Sequence, residues 1–407
     1  MEAFCCAADA STAPRCPEPD DRAVAAATTV ARVHPWRARV GITRLADLTG
    51  LDRLGLPVFA AIRPNSRSVA TSQGKGLTAD AARAGALMEA VESWHAETIE
   101  APLRLASAAE LQGYRLIALE RLALRARRRF DAHRPLLWIE GQDVRTQAPV
   151  WLPYELVHTD YRLPQPPAAG CFPVGTSGLA AGNTSAEAIR HALCELIERD
   201  AVSLWHQLAR DVRPSTAIDA ASVEDDRCQE VLGRLAAAGF TVGLFDVTSD
   251  IRIPAFLAVL ADRRDPTGHP GMGAACHPEA TTALLKALLE AVQVRTGYIA
   301  GARDDMAPEE FAGAGPIEKL RWLGPLLELP GRRPFEHAST GWGDAARDVD
   351  ALLLRLAAVG LDEVIMVDLT RADIGLPVVR MVVPGLEACS DEPDYAPGPR
   401  ASTQRKP

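Results

Sequence analysis

The chain reads as an α+β protein in which helices lie over antiparallel sheet. Three observations predict this class. A helical stretch with one spacing of small residues and glutamates occurs three times. A hairpin pattern also recurs, an apolar strand ending near Asp, a polar turn, then a second strand containing Pro. Two of these hairpins follow helices that close on glycine. With 407 residues, 47% hydrophobic, the chain can bury a large core and is not globally disordered.

Residues 1–30 are rich in Ala, Pro and Asp without helical or strand period. They read as a loose leader, set at 1–35, before one domain over 36–400. The first helix lies in GKGLTADAARAGALMEAVES, Gly74 to Ser93, and LLWIEGQDVRTQAPVWLP, turning at Asp143, is the first hairpin. Pro164, Pro166 and Pro167 mark an exposed loop. GLAAGNTSAEAIRHALCELIERD, Gly178 to Asp200, holds the second helix. VLGRLAAAGF is a helix closed by Gly239 ahead of the hairpin FTVGLFDVTSDIRIPAFLAVL, which turns at Asp246. HPEATTALLKALLEAVQVR is the third repeated helix. Asp304 to Pro334, with five prolines, reads as an irregular insertion. LLRLAAVGL closes at Gly360 before DEVIMVDLTRADIGLPVVRMVV, which turns at Asp368. Residues 401–407 form a polar, frayed tail.

Aligning Glu89 with Glu195 places Gly76 on Gly182, Thr78 on Thr184, Ala82 on Ala188, Ala86 on Ala192, Leu87 on Leu193 and Glu92 on Glu198. In the third copy Glu290 and Gln293 take the same register. Residues three apart share a helix face, so each ExxE projects a pair of carboxylates. One such pair alone would suit a solvated face with Arg or Lys partners. Two in an identical frame, with a Glu–Gln variant in the third, predict three helices converging with their acids together. Crowded carboxylates raise one another's pKa unless a cation sits among them. Oxygen-only ligands suit Mg²⁺, and Mg²⁺ suits bound phosphates. Arg199, Arg295 and Lys75 lie close in sequence to these motifs and could neutralise phosphate oxygens. The pattern predicts a multi-metal nucleotide site.

Other classes are disfavoured. The net charge of −9 argues against a broad basic face for nucleic acid. GKG at Gly74 lacks the rest of a phosphate-binding P-loop, and GMGAAC at Gly271 reads as a turn. The eight cysteines form no CxxC pair and read as reduced thiols. No apolar run approaches a membrane span and the N-terminus is a poor signal peptide, so a cytoplasmic protein is expected.

At SQGKGLT…ALMEAVE, GLAAGNTSAEAIRHALCELIERDA, EAVQVRTGYIAGARDD and RMVVPGLE…YAPGPRA the chain resembles the YcaO-domain family, over roughly residues 40 to 400. The stretch from Ile42 to Gly76 is most similar to the branch associated with TfuA partners. The resemblance implies a YcaO-like fold of repeated helix-and-hairpin modules whose helices converge on ATP and Mg²⁺. It implies ATP-dependent activation of a peptide backbone amide in a ribosomally made peptide or protein. The outcome linked to TfuA is a thioamide, which needs a sulfur donor. An azoline-forming cyclodehydratase is the alternative, and a non-catalytic nucleotide-binding scaffold the second. By motif position Glu89, Glu92, Glu187, Glu195 and Glu198 would hold Mg²⁺. Asn183, Arg199, Gln293 and Arg295 would contact the nucleotide, with Lys75 close by. The implied partners are a peptide or protein substrate, a TfuA-like protein and a sulfur donor, without nucleic acid or membrane; a homodimer is compatible. The chain departs from the family's first motif at Gly85, where Ser is usual, and at Ser93, where Arg is usual. Its prolines 393, 397 and 399 are followed by ASTQRKP rather than ending the chain.

Remaining residues take blander readings. His95 and His191 read as helix-surface or partly buried histidines, and Cys194 as a small core residue. Cys5 and Cys6 lie in the leader. Arg125 to Arg129 reads as a solvated helix face, with peptide docking second. Trp94, Trp205 and Trp342 read as packing residues.

Overall fold

A computed structural model describes residues 22–125, 129–166, 169–209, 211–265, 268–311, 314–336, 343–390 and 395–404. Cys5, Cys6, Cys16, most of the arginine run and Trp342 lie outside them. In chain order the elements are α1 (Ala26–Val33), α2 (Arg37–Val40), β1 (Arg44–Asp47), β2 (Val58–Ile62), β3 (Thr71–Lys75) and α3 (Ala79–Glu97). Next come β4 (Leu103–Ala106), β5 (Leu136–Asp143), β6 (Pro149–Pro153), β7 (Leu179–Ala181) and α4 (Ser185–Gln207). Then follow α5 (Asp226–Ala237), β8 (Phe240–Asp246), β9 (Ala255–Asp262), β10 (Gly271–Cys276) and α6 (Ala280–Ala300). The chain ends with α7 (Ala314–Leu327), α8 (Ala345–Ala358), β11 (Ile365–Asp368), β12 (Val378–Val382) and α9 (Pro399–Gln404).

The α+β class holds, with every strand pair antiparallel. The repeating unit is three strands followed by a helix. β1-β2-β3 feeds α3, and β8-β9-β10 feeds α6. The third unit is assembled from distant parts of the chain, because β7, which feeds α4, pairs with β12 of the β11–β12 hairpin. β4, β5 and β6 extend that sheet on its far side.

The sequence reading assigned the β5–β6 hairpin to the repeat; the equivalent hairpin is β1–β2. In the three true equivalents an Asp carboxylate accepts the N–H two residues on, at Thr49, Thr248 and Thr370. Each Thr hydroxyl then accepts the N–H of the residue after a proline, at Val58, Ala255 and Val378. The carbonyls of Pro57, Pro254 and Pro377 in turn accept from Gly76, His277 and Gly182. Those three residues each stand 13 positions before Glu89, Glu290 and Glu195, so the backbone reproduces the predicted register. Asp143 makes a different turn, bonding Arg145 N–H, Thr146 N–H and Arg115.

The three helices close a ring. Each packs on its own strand and on a strand of another unit, α3 against β7, α4 against β10 and α6 against β3. Alanine and glycine make this possible. A Cβ on Gly74 would stand 2.0 Å from the Ala82 carbonyl oxygen, and one on Gly273 would stand 2.4 Å from that of Ala287. Strand and helix backbones are thus in contact with no side chain between them. Gly239 and Gly360 adopt φ of +84° and +78°, the left-handed conformation expected after α5 and α8.

Three boundaries differ from expectation. Residues 26–33 form α1, packed on α3 with Thr29 and Val33 buried, so the expected 1–35 leader includes a packed helix. The supposed irregular insertion contains the 14-residue α7, with Pro325 in its last turn. The tail is anchored beyond residue 400: Ala401 is buried and its N–H bonds Glu387. Tertiary contacts supplied the helical order that local composition concealed. Because β10 touches α6 through Gly273, Gly273→Ala should cost about 1–3 kcal/mol by overpacking. Urea unfolding monitored by circular dichroism would measure this as a lower midpoint at unchanged slope.

Candidate active site

The centre of the ring holds the predicted acids. Thr78 and Thr184 cap α3 and α4, their hydroxyls accepting the N–H groups of Ala81 and Glu187. The capped helices then carry Glu89, Glu92, Glu195 and Glu198 inward. Glu89 accepts the Gln73 N–H of β3 at 3.1 Å, and Glu92 accepts the Ala181 N–H of β7 at 2.8 Å. Glu195 accepts the Gly178 N–H at 3.1 Å. Glu290 receives Lys75 Nζ at 2.8 Å, joining α6 to β3. Arg199 lies 3.6 Å from Glu195 and 3.4 Å from Glu198.

The acids line a recessed cleft: protein surrounds them, yet the side chains of Glu195 and Glu290 remain 20% and 24% exposed. Desolvation pushes the Glu89 carboxyl up to about 7, opposed by Lys75 and Arg303 and reinforced by Glu195. Glu92 is raised further by desolvation and by Glu89 and Glu195. Desolvation also raises Glu195 and Glu198, with Arg199 the main opposing charge and Glu290 adding repulsion. These mutual effects place the three helices' acids in one electrostatic neighbourhood.

Not every predicted residue joins it. Glu187 closes a capping box, accepting the N–H groups of Asn183 and Thr184 and, from the N-terminal segment, Ala23. Asn183 pairs with Thr29 and Arg32 of α1. Arg295 lies against the Phe240 ring, 3.4 Å from Asp262 and 4.0 Å from Asp52, so the acids it pairs with are these aspartates. Gln293 follows Glu290 by three residues, and its buried side-chain oxygen has no hydrogen-bond partner. His95 is a core histidine, its Nδ1 2.7 Å from the Val91 carbonyl. Cys194 is a core residue beside Cys276.

Sequence reasoning missed several neighbours. Arg303 lies within electrostatic reach of Glu89, Arg380 of Glu195 and Arg22 of Glu92. His191 stands one turn before Glu195 and within electrostatic reach of Lys286, Arg22 and Lys75. Lys286 was legible, since it precedes Glu290 by the same four residues. Arg22 and Arg303 come from segments outside the repeat, and Arg380 from the second strand of the last hairpin.

The donor set fits Mg²⁺ by its chemistry, all oxygen, with a buried Gln293 oxygen lacking a hydrogen-bond partner and a buried Glu198 oxygen set 3.4 Å from Arg199. Among the described residues no three acidic, His or Cys side chains yet enclose one ion. Cations and phosphates would have to draw the oxygens together. No helix among the described residues is long and apolar enough to cross a membrane.

The sequence and the fold are both matched by known proteins. The family model described as YcaO cyclodehydratase, ATP- and Mg²⁺-binding, covers residues 73–387. The chain is 38% identical over 376 residues to an "Uncharacterized protein in tfuA 3'region" of Rhizobium leguminosarum bv. trifolii, spanning 90% of this chain and 89% of the relative. Its fold is similar to the YcaO protein of Methanopyrus kandleri bound with AMPPCP and Mg²⁺, at TM-score 0.72 and 25% identity, over 93% of this chain and 97% of that one. It is similar at TM-score 0.75 and 25% identity to a heterocyclase in complex with substrate and cofactor, over 91% of this chain and 53% of that longer one. The chain belongs to the YcaO family of ATP-dependent, Mg²⁺-binding, peptide-modifying proteins.

The raised carboxyls carry a pH signature. Glu89 holds its proton more tightly in the fold, to about 7, than its ordinary 4.5. The stabilisation this gives is complete below 4.5 and is lost as pH rises through about 7. Without metal or nucleotide, the melting temperature should therefore fall between pH 5 and 8, and Glu89→Gln should flatten that slope. Scanning calorimetry across the pH range measures both.

Proposed function

We propose that this protein uses ATP to phosphorylate a peptide backbone amide oxygen and replaces that oxygen with sulfur, giving a thioamide, in concert with a TfuA-type partner. The observation that carries the reading is the convergence of Glu89, Glu92, Glu195, Glu198 and Glu290 with Lys75 and Arg199 in one cleft. A scaffold has no use for such a costly charge cluster. The similarity to a protein named for its place beside tfuA supports the choice of product.

Chemically, an amide oxygen is a weak nucleophile and oxide cannot leave. In the proposed reaction the amide oxygen bonds to the γ-phosphorus and the bond to ADP breaks. Hydrosulfide adds to the carbonyl carbon, the carbon–oxygen bond breaks, and the oxygen departs within inorganic phosphate. Glu89, Glu92, Glu195 and Glu198 are the residues that would hold Mg²⁺, which supplies charge neutralisation and an electrophilic γ-phosphate. Lys75 and Arg199, already placed among the acids, offset charge on phosphate oxygens. Gln293 offers an unoccupied oxygen at the same level. Glu187 and Asn183 reach the same site only if the N-terminal contacts at Ala23, Thr29 and Arg32 rearrange.

The second reading, azoline formation, is favoured by the family's cyclodehydratase description and by the heterocyclase neighbour. There a Cys, Ser or Thr of the peptide is the nucleophile and no sulfur enters. Mass spectrometry of a co-expressed candidate peptide separates the two: a gain of about 16 Da for oxygen-to-sulfur exchange, a loss of about 18 Da for dehydration. Glu195→Ala and Glu198→Ala should lower peptide-stimulated, Mg²⁺-dependent ATP turnover at least about a hundredfold while the variants stay folded. Full turnover in either would remove the site assignment.

A further inference from the structure

A cavity of about 100 Å³ opens beside the carboxylate cleft at the C-terminal half of α4. Leu122, Leu156, Leu196, Met381 and Leu386 give it apolar lining, and Arg199 and Arg380 line it as well. Both arginines also face Glu195, so the cavity and the acids share a boundary. Glu387 lines it too, but its carboxylate is taken up by the N–H groups of Gly398 and Ala401 and by the Tyr395 hydroxyl. The charged donors in the lining are therefore Arg199 and Arg380, set against Glu195 rather than Glu387.

The wall is held in place before any ligand arrives. Asp200 accepts the Glu387 N–H at 3.0 Å and is itself held by Arg400. Ser203 Oγ donates to the Ala388 carbonyl at 2.7 Å and accepts the Ser390 N–H at 3.1 Å. Arg380 Nη1 donates to the Gly175 carbonyl at 2.8 Å. A pocket braced in this way loses little freedom on binding.

Position along α4 says what enters. Toward its N-terminal half, His191 lies within electrostatic reach of Lys286, Arg22 and Lys75, cations that suit polyphosphate. Glu195 and Glu198 follow, and the cavity begins at Leu196 and Arg199. A group that meets the terminal phosphate must come from the cavity side. We propose that this cavity takes the aliphatic side chain of the residue next to the reacting amide, laying the peptide carbonyl against Arg199 and Arg380. The acceptor class is thus a peptide with Leu, Ile or Val beside the modified amide. This rests on the amide-activation reading above.

The test is ¹³C-methyl methionine NMR on the full chain with AMPPCP and Mg²⁺ present. The Met381 signal is assigned by its loss in Met381→Leu. Acetyl-Gly-Leu-Gly-amide should shift it saturably, about tenfold more tightly than acetyl-Gly-Asp-Gly-amide. Ala123→Trp, which fills the cavity, should abolish the shift. Leu196→Ala, which enlarges it, should move the preference from Leu toward Phe and serves if the first variant fails to fold. Equal affinity for the Leu and Asp peptides, no Met381 shift with any peptide, or the same shift with adenosine alone would overturn the proposal. Calorimetric titration with AMPPCP and Mg²⁺ reads the nucleotide site separately. Intact nucleotide binding without a peptide response sinks the pocket and leaves the function; lost nucleotide binding in the native chain counts against the function itself.

Discussion

Repulsion among carboxylates on three converging helices is the constraint around which the protein is arranged. Glu89, Glu92, Glu195, Glu198 and Glu290 all press into one cleft, and each feels at least one other or a cation set against it. Burying unpaired acids costs several kcal/mol each, so the fold must hold the helices together by other means. It does so with backbone contact. Gly74 and Gly273 bring strand and helix together, and alanines at 82, 86, 287 and 291 leave room for this approach. Each helix then leans on a strand of another unit, so no helix can withdraw without opening the ring.

The same geometry divides the cleft into regions of different charge. Cations gather around His191, acids around Glu195, and arginines with apolar walls beyond Leu196. One helix thus presents, over about two and a half turns, sites suited to phosphate, to metal and to an uncharged acceptor. The N-terminal helix α1 and the C-terminal helix α9 attach at opposite ends of α4, through Asn183 and through Asp200. Chain termini that look dispensable in sequence therefore fix the two ends of the functional helix.

Much of this was legible in the sequence because the repeat is a backbone requirement as well as a chemical one. The Gly76–Gly182 register follows from a hydrogen bond to Pro57 and Pro377, so aligned letters reported aligned geometry. The third copy was weaker in letters, with His277 in place of glycine, yet it keeps the bond to Pro254. What misled was the hairpin at Asp143, which shares Asp and Pro with the others but lacks Thr two residues on. Local pattern could not reveal that β7 completes a unit with β12, some two hundred residues away, since that pairing is topological. Nor could it find Arg303 or Arg380, which reach the acids from loop and strand rather than from a repeated helix. Glu187 illustrates the reverse difficulty. Its motif position suggests a metal ligand, while its local position at the third residue of α4 makes it a capping partner.

Electrostatics also bears on how sulfur could be delivered. Hydrosulfide is an anion, and a cleft of ionised glutamates would exclude it. Here desolvation raises the pKa of Glu89, Glu92, Glu195 and Glu198, and Arg199 and Arg380 line the cavity beside these acids. Bound cations would lower the negative potential further. An internal Cys, Ser or Thr nucleophile, arriving as part of the peptide, would need no such route. In the proposed thioamide reaction, the arginines beyond the acids would offset the charge of an incoming hydrosulfide. A partner protein that carries sulfur to this mouth would meet a surface already biased to receive it.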